Sequence, residues 1–184
     1  MLNWRKKLVA ELTGDVLEIG VGAGQNIPLY THASSVAGIE PNYEQYQKAV
    51  KVAGGVKIPV SITHISAENL PFSNGSFDHV VSSLVLCSVS NQKKVLNEIE
   101  RVLRPGGVLH MVEHIRPSNT CLRYIADRAT PRWSAFAYNC HLNRPTLETL
   151  QESGWSVVID WKMGFIIRAH ATPRRITSSA PTPN

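Results

Sequence analysis

A glycine cluster near the start of the chain constrains the fold more than any other feature. The run Val16-Leu17-Glu18-Ile19 is apolar enough for a buried strand and ends in Gly20-Val21-Gly22-Ala23-Gly24. A strand or helix interior would not tolerate that turn, because glycine weakens both. Twenty residues after Gly20, Glu40 closes a second apolar run, Val36 to Glu40. A glycine turn after one strand and an acid after the next let a nucleotide-like ligand approach the backbone, while the carboxylate accepts hydrogen bonds from two ribose hydroxyls. Such a chain is expected to build an open α/β sheet that binds its ligand at the carboxyl ends of the strands.

The remaining pattern agrees. Helical spacing of Tyr46, Ala49, Val50 and Ala53 predicts a helix with one face on the sheet. Strands are expected at Ile58 to Ile65, with Pro59 marking a start or an edge, at Val80 to Leu86, and at Val108 to Glu113. Between the last two, Ser90 is placed to cap a helix whose stripe is Val95, Leu96, Ile99, Val102 and Leu103, stopped by Arg104-Pro105-Gly106-Gly107. Thr146 to Ser153 reads as a short helix closed by Gly154. Trp155 to Trp161 and Phe165 to Ala171 are close enough to pair as an antiparallel hairpin. The expected architecture is one α/β domain over residues 1–173, a seven-stranded, mostly parallel sheet with an antiparallel C-terminal hairpin. Residues 174–184 offer little to bury and are expected to form an unstructured tail.

With 184 residues, 43% of them hydrophobic and 18% charged, the chain can bury one core, and disordered, collagen-like and coiled-coil classes drop out. No run reaches the roughly 18 to 20 apolar residues of a membrane span, and Met1-Leu2-Asn3-Trp4-Arg5-Lys6-Lys7 lacks a secretory apolar region, so a cytoplasmic protein without a membrane anchor is expected. Cys87, Cys121 and Cys140 make an odd count without a Cys-x-x-Cys pair, so reduced thiols and no metal site are expected. The net charge of +5 is too modest to diagnose a nucleic-acid partner. It is concentrated: Arg116, Arg123, Arg128, Arg132 and Arg144 face one acid, Asp127, a local +4, among Tyr124, Trp133, Phe136 and Tyr138.

Two details of the glycine turn select the ligand. A nicotinamide cofactor calls for Gly-x-Gly-x-x-Gly, whereas here Gln25 stands where the third glycine would be and Gly24 comes one residue early. Glu18 adds negative charge where a pyrophosphate would prefer neutral or positive surroundings. S-adenosylmethionine carries a sulfonium, an ammonium and no phosphate, so it suits such an acid.

From Gly14 to about Thr172 the chain resembles the class I S-adenosylmethionine-dependent methyltransferases, Rossmann-like enzymes. The matching stretches are Val16 to Gly24, Gly38-Ile39-Glu40-Pro41-Asn42, Ala67-Glu68-Asn69-Leu70-Pro71-Phe72, Phe77-Asp78-His79-Val80-Val81 and Val102-Leu103-Arg104-Pro105-Gly106-Gly107. Leu84-Val85-Leu86-Cys87-Ser88-Val89, Glu113-His114 and Cys140-His141-Leu142-Asn143-Arg144 look like the methyltransferase-like 7 group of alkyl-thiol methyltransferases, including shorter bacterial relatives. The resemblance implies that Gly20, Val21 and Gly22 pack under the methionine part, that Glu40 holds the ribose and that Pro41 and Asn42 line the adenine side. It also implies that Ala67 and Glu68 meet the adenine ring, that Leu84 floors the pocket and that Asn26 is a polar position just inside the next helix. Glu18 and Gly24 complete this set.

For the methyl acceptor, an in-line displacement needs orientation first and a base only when the acceptor must lose a proton. His114, next to Glu113 which is placed to orient it, and His141 are the candidate bases, with a structural histidine as the plainer reading of each. His79 falls at the wrong end of the sheet. Cys87 reads first as a small core residue and second as a neighbour of the acceptor. Trp133, Phe136 and Tyr138 are candidate walls of an apolar acceptor pocket, and Arg116 a candidate contact for an acidic one. The expected function is methyl transfer to a small molecule, with a thiol favoured over oxygen or nitrogen. The alternatives are a nucleic-acid methyltransferase and a non-catalytic S-adenosylmethionine-binding subunit.

Overall fold

The computed structural model describes residues 2–174, with side chains from Trp4 onward. Helix α1 (Leu2–Val9) leads into strand β1 (Gly14–Ile19), and β2 (Ala33–Ile39), α2 (Tyr43–Ala53), β3 (Val60–Thr63) and β4 (Phe77–Ser83) follow. Then come α3 (Gln92–Val102), β5 (Leu103–His114), α4 (Thr120–Phe136), α5 (Thr146–Glu152), β6 (Trp155–Met163) and β7 (Ile166–Pro173). The seven strands form one sheet in the order β3-β2-β1-β4-β5-β7-β6. The first five are parallel, and β7 is antiparallel to both β5 and β6. The chain winds outward from β1 in one direction and from β4 in the other, so a crevice opens between their carboxyl ends, where open α/β sheets bind ligands.

Side-chain alternation along the strands divides the core in two. Leu17, Ile19, Val80, Leu109 and Met111 pack against Val95, Leu96 and Ile99 of α3 and Leu150 of α5. Val16, Val36, Val81 and Val112 pack on the other face against Leu8 and Val9 of α1 and Tyr30. Asparagines start three helices: Asn42, Asn91 and Asn119 each accept from a backbone N–H three residues on, which satisfies a donor the helix itself cannot.

Several expectations shift. The β1–β2 crossover holds a single 3-10 turn, Ile27–Leu29 with Pro28 inside it. Asn26 therefore stands at the head of that turn, its side chain making no capping bond, and does not lie inside an α-helix. The third helix is capped one residue later than expected, by Asn91, whose side chain accepts the Lys94 N–H. Strand β4 stops at Ser83, short of Leu86, because Leu84 adopts a left-handed backbone with φ +62°. Strand β5 begins directly where α3 ends, and the Pro105-Gly106-Gly107 stretch is absorbed as a register shift within it. Val50, expected on the buried face of α2, is 43% exposed, because the contact runs through Ala49, Val52 and Ala53. The Arg- and aromatic-rich segment contains a 17-residue helix, α4. Pro59 does precede an edge strand, β3. Arg174 still donates to the Gly154 carbonyl at 2.8 Å; the rest of the expected tail, 175–184, lies outside the described residues.

Candidate active site

The glycine turn sits at the crest of β1, and its glycines do different work. A Cβ on Gly20 (φ +61°) would meet Val85 Cγ2 at 2.6 Å, and one on Gly24 (φ +82°) would meet Ile27 Cδ1 at 3.0 Å. On Gly22 (φ +56°) it would meet nothing within 4 Å. Gly20 and Gly24 thus allow close packing, whereas Gly22 faces open space in the crevice. Val21 is buried against Gly38. From the end of β2, Glu40 braces the turn: Oε2 accepts the Gly22 N–H and Oε1 the Asn42 N–H, each at 2.9 Å. Each carboxylate oxygen keeps a second lone pair. Pro41 presents its carbonyl 2.9 Å from His64 Nε2, and the Asn42 side chain is occupied as the cap of α2.

Glu18 lies beneath this turn, 2% exposed, on the face covered by α1. It accepts from Asn26 Nδ2 at 2.6 Å and Tyr30 Oη at 2.8 Å. Arg5 of α1 in turn donates to Asn26 Oδ1 at 2.9 Å. Burial drives the Glu18 carboxyl up to about 7, against the pull of the two hydrogen bonds and the Arg5 charge. Burial lowers Arg5 and raises the Tyr30 phenol, the latter with Glu18 adding to the effect. A buried acid poised to ionise and a turn with free space above it together fit a cationic, adenosine-bearing donor.

Across the crevice, Ala67 is buried in the core. Burial raises Glu68, yet its bonds outweigh that and hold it below the ordinary carboxylate value. It accepts from Ser66 Oγ at 2.7 Å and from the N–H groups of Ser90 and Asn91 at 2.9 and 3.3 Å. Glu68 thus joins the loop after β3 to the start of α3. Glu113 was expected to orient His114; it instead orients the turn after β4. Its Oε1 accepts from Ser82 Oγ and the N–H groups of Val85 and Leu86, and its Oε2 accepts from the N–H of Cys87. Burial raises this carboxyl, and those four bonds oppose the shift. This one buried acid thus anchors the backbone of Val85, Leu86 and Cys87, the turn that follows the left-handed Leu84.

Beside Leu84 a cavity of about 500 Å³ opens between α1 and the β6–β7 hairpin, lined by Trp4, Lys7, Leu84, Val112, Trp161, Met163, Ile166 and Arg168. A larger one, about 760 Å³, lies at the opposite end of the sheet around Asn74, Arg101 and Pro105, away from the glycine turn. The expected aromatic walls stand elsewhere: Phe136 is 88% exposed and Tyr138 69%. Trp133 bonds to Cys140, and Arg116 is paired with Asp127 at 3.7 Å. Tyr138 and Asn139, both with positive φ, carry the chain across the crevice. Gln45 Nε2 of α2 donates to Tyr138 Oη at 3.1 Å, and Asn139 Nδ2 donates to the Ser88 carbonyl at 2.7 Å. The result is a strap from the β4 turn to α2. Sequence reading missed Trp4, Trp161 and Met163. Their signal was an aromatic in the first helix and apolar residues at the tip of an edge hairpin, both ordinary by themselves.

Two candidate residues, Cys87 and His114, converge with Cys140, which the sequence did not single out. Cys87 Sγ lies 3.3 Å from Cys140 Sγ, and His114 Nδ1 lies 3.3 Å from Cys140 Sγ and 3.7 Å from Cys87 Sγ, with all three residues buried. The hydrogen bond from Cys87, with help from His114 and Trp133, draws Cys140 down to about 4, while the same bond and burial push Cys87 up. Nothing in their spacing along the chain signals this grouping. His141 is tied in through its N–H, which donates to the Cys87 carbonyl at 2.9 Å, and its Nδ1 lies 2.6 Å from the Asn139 carbonyl. His79 pairs with His110 at 3.1 Å on the amino-terminal half of β4, away from the crevice. Among the described residues no helix is long and apolar enough to cross a membrane.

Comparison with known proteins agrees with this geometry. Residues 17–111 match the family described as "Methyltransferase domain". The chain is 31% identical over 152 residues to thiol S-methyltransferase TMT1B of Rattus norvegicus, covering 80% of this chain and 62% of the relative. It is 34% identical over 152 residues to a phosphatidylethanolamine N-methyltransferase of Cereibacter sphaeroides, covering 78% of this chain and 74% of that one. The chain thus spans about three-fifths of the length of the thiol methyltransferase it matches. In fold, it superposes with a TM-score of 0.66 on an S-adenosylmethionine-dependent methyltransferase of Thermotoga maritima, a possible histamine N-methyltransferase, at 20% identity over 94% of this chain and 93% of that one. With the matched domain covering residues 17–111 and relatives above 30% identity, the chain belongs to the class I S-adenosylmethionine-dependent methyltransferases.

Proposed function

We propose that this methyltransferase acts on a small apolar acceptor, with the sulfur of a thiol as the methylated atom. The observation that carries the reading is the cavity beside Leu84, whose wall of Trp4, Val112, Trp161, Met163 and Ile166 is hydrophobic; Val85, next to Leu84, lies against Gly20 of the glycine turn. The likeness to thiol S-methyltransferases across 80% of the chain supports sulfur as the acceptor atom. Bound S-adenosylmethionine supplies an electrophilic methyl group on a sulfonium. In this reading Gly22 leaves room for the methionine part, Glu18 balances its positive charge and Glu40 keeps lone pairs for the ribose, with Pro41 and Ala67 beside the adenine. The strap through Tyr138 and Asn139 excludes water, which competes with any acceptor.

His141 is assigned the proton. With its Nδ1 donating to the Asn139 carbonyl, Nε2 is left as an acceptor. One feature favours a second reading: Lys7 and Arg168 line the same cavity and suit the phosphate of an ethanolamine phospholipid, in keeping with the Cereibacter sphaeroides relative. Incubation with tritiated S-adenosylmethionine and, in parallel, small alkyl and aryl thiols, phosphatidylethanolamine vesicles and RNA tests both. Label in the thioether is the expected result. Label in lipid with none in thiol overturns the sulfur assignment, and label in RNA overturns the small-molecule class.

A further inference from the structure

The convergence of Cys87, His114 and Cys140 has no role in holding the donor, and its geometry points to a metal. The three ligand atoms stand 3.3, 3.3 and 3.7 Å apart. A tetrahedral zinc with Zn–S near 2.3 Å and Zn–N near 2.0 Å spaces its ligands by roughly 3.5 to 3.8 Å, so a shift of a few tenths of an ångström seats the ion. Two thiolates and an imidazole are a soft set that zinc prefers and magnesium or calcium does not. The cysteines and the histidine come from the β4 turn, the end of β5 and the segment after α4, and each is held from behind by its own backbone. The N–H of Cys87 is bonded to Glu113 and its carbonyl to the N–H of His141, the His114 carbonyl accepts from Thr146 Oγ1, and the Cys140 N–H donates to the Ala137 carbonyl. Ligands fixed in this way pay little to be organised around an ion.

We propose that Cys87, His114 and Cys140 bind one zinc ion, leaving a fourth position on the side of the cavity for the acceptor's sulfur. The identity of the fourth ligand rests on the thiol reading above; the three-residue site does not. Three protein ligands, not four, mark a zinc that takes a substrate. Adjacency fits: Leu84 and Ile166 line the cavity, Leu84 begins the turn that carries Cys87, and Ile166 is the β7 partner of His114. Along β5 His114 falls on the same face as Val112, another lining residue. A thiol entering the fourth position releases its proton to solvent and binds as thiolate. Its lone pair forms the new carbon–sulfur bond while the pair of the methyl–sulfonium bond passes to the donor sulfur. The products are a methyl thioether, a poor zinc ligand that leaves, and S-adenosylhomocysteine.

The test is metal content of the full chain purified without chelator or metal-affinity tag, by plasma mass spectrometry, together with absorption spectra after cobalt(II) replaces zinc. The expected result is about one zinc per chain, thiolate-to-cobalt charge-transfer bands, and a change in the tetrahedral cobalt bands when 2-mercaptoethanol is added. Cys140→Ser and His114→Gln should lose the metal while still binding S-adenosylhomocysteine, which shows that they are folded. Wild-type protein with less than about a tenth of a zinc per chain, or with Cys87 and Cys140 oxidised to each other and no metal, overturns the site. Cobalt bands unmoved by thiol overturn the fourth-ligand assignment. Thiol methylation by metal-free protein removes zinc from the reaction but leaves the acceptor reading standing.

Discussion

Donor affinity should depend on pH through Glu18. In the ligand-free protein burial holds this carboxyl near 7 instead of 4.5, so below neutrality it is mostly protonated and neutral. A cationic methionine group above the glycine turn favours the carboxylate and must expel that proton on binding. If only the ionised form binds well, affinity should fall about tenfold from pH 8 to pH 6 and about a hundredfold by pH 5, given a folded value near 7. The stability of the ligand-free protein runs the other way. The folded value lies above the unfolded one, so the native state holds an extra proton between them. Stability is therefore greatest below about pH 4.5, declines as pH rises from there to about 7 and is level above, a loss of at most about 3 kcal/mol at roughly 1.4 kcal/mol per pH unit. Calorimetric titration with S-adenosylhomocysteine and S-adenosylmethionine from pH 5 to pH 8, on wild type and Glu18→Gln, measures the first effect, and thermal melts of both measure the second. Glu18→Gln should bind weakly with a nearly flat pH profile and melt higher than wild type at pH 8. A flat wild-type profile, or an equal slope in the variant, would refute the reasoning.

Gly20→Ala should lower stability by about 2 to 5 kcal/mol, combining a left-handed alanine with a 2.6 Å clash against Val85. Gly22→Leu should instead lose only about 1 to 2 kcal/mol of stability, the left-handed cost alone, and lose donor affinity in calorimetry, because its side chain fills the open space. Glu40→Ala should weaken donor binding at least tenfold; unchanged affinity would remove it from the ribose. Tyr138→Phe deletes the exposed bond to Gln45 and should raise the donor KM by no more than about tenfold, since such a bond contributes about 0.5 to 1.5 kcal/mol. Its melting temperature should hardly move.

The pairing of the glycine turn with Glu40 was readable because its requirements are local. A turn after one strand and an acid after the next are set by a few adjacent residues, and the succession of strands and helices along the chain follows from alternating apolar runs. The 3-10 turn at Ile27–Leu29 was hidden because Pro28 is compatible with the first turn of either helix type. Helix α4 was hidden because only Ala126 and Thr130 are buried and Pro131 interrupts its pattern, so it carries little amphipathic signal. The acceptor half depends on contacts between distant segments. Cys87 and Cys140 are 53 positions apart yet touch, and Trp4 meets Trp161 and Met163 only once the edge hairpin has folded. Glu113 showed the same limit: proximity in sequence suggested His114 as its partner, whereas the parallel neighbour β4 receives its carboxylate.

The position of α1 implies an order of assembly. Arg5 supports the acid under the donor, and Trp4 and Lys7 line the cavity, yet the surface this helix leans on includes Val112 of β5 and Ile166 of β7. The ribosome therefore releases α1 long before its resting place exists, and it must wait for almost the entire sheet. Held to the sheet by side chains and not by a ladder of backbone bonds, α1 is also placed to open before the central strands. Deuterium uptake should be faster in α1 than in β1 or β4, and a bound donor should slow it, so that occupancy of the crevice is reported from the opposite end of the polypeptide's history.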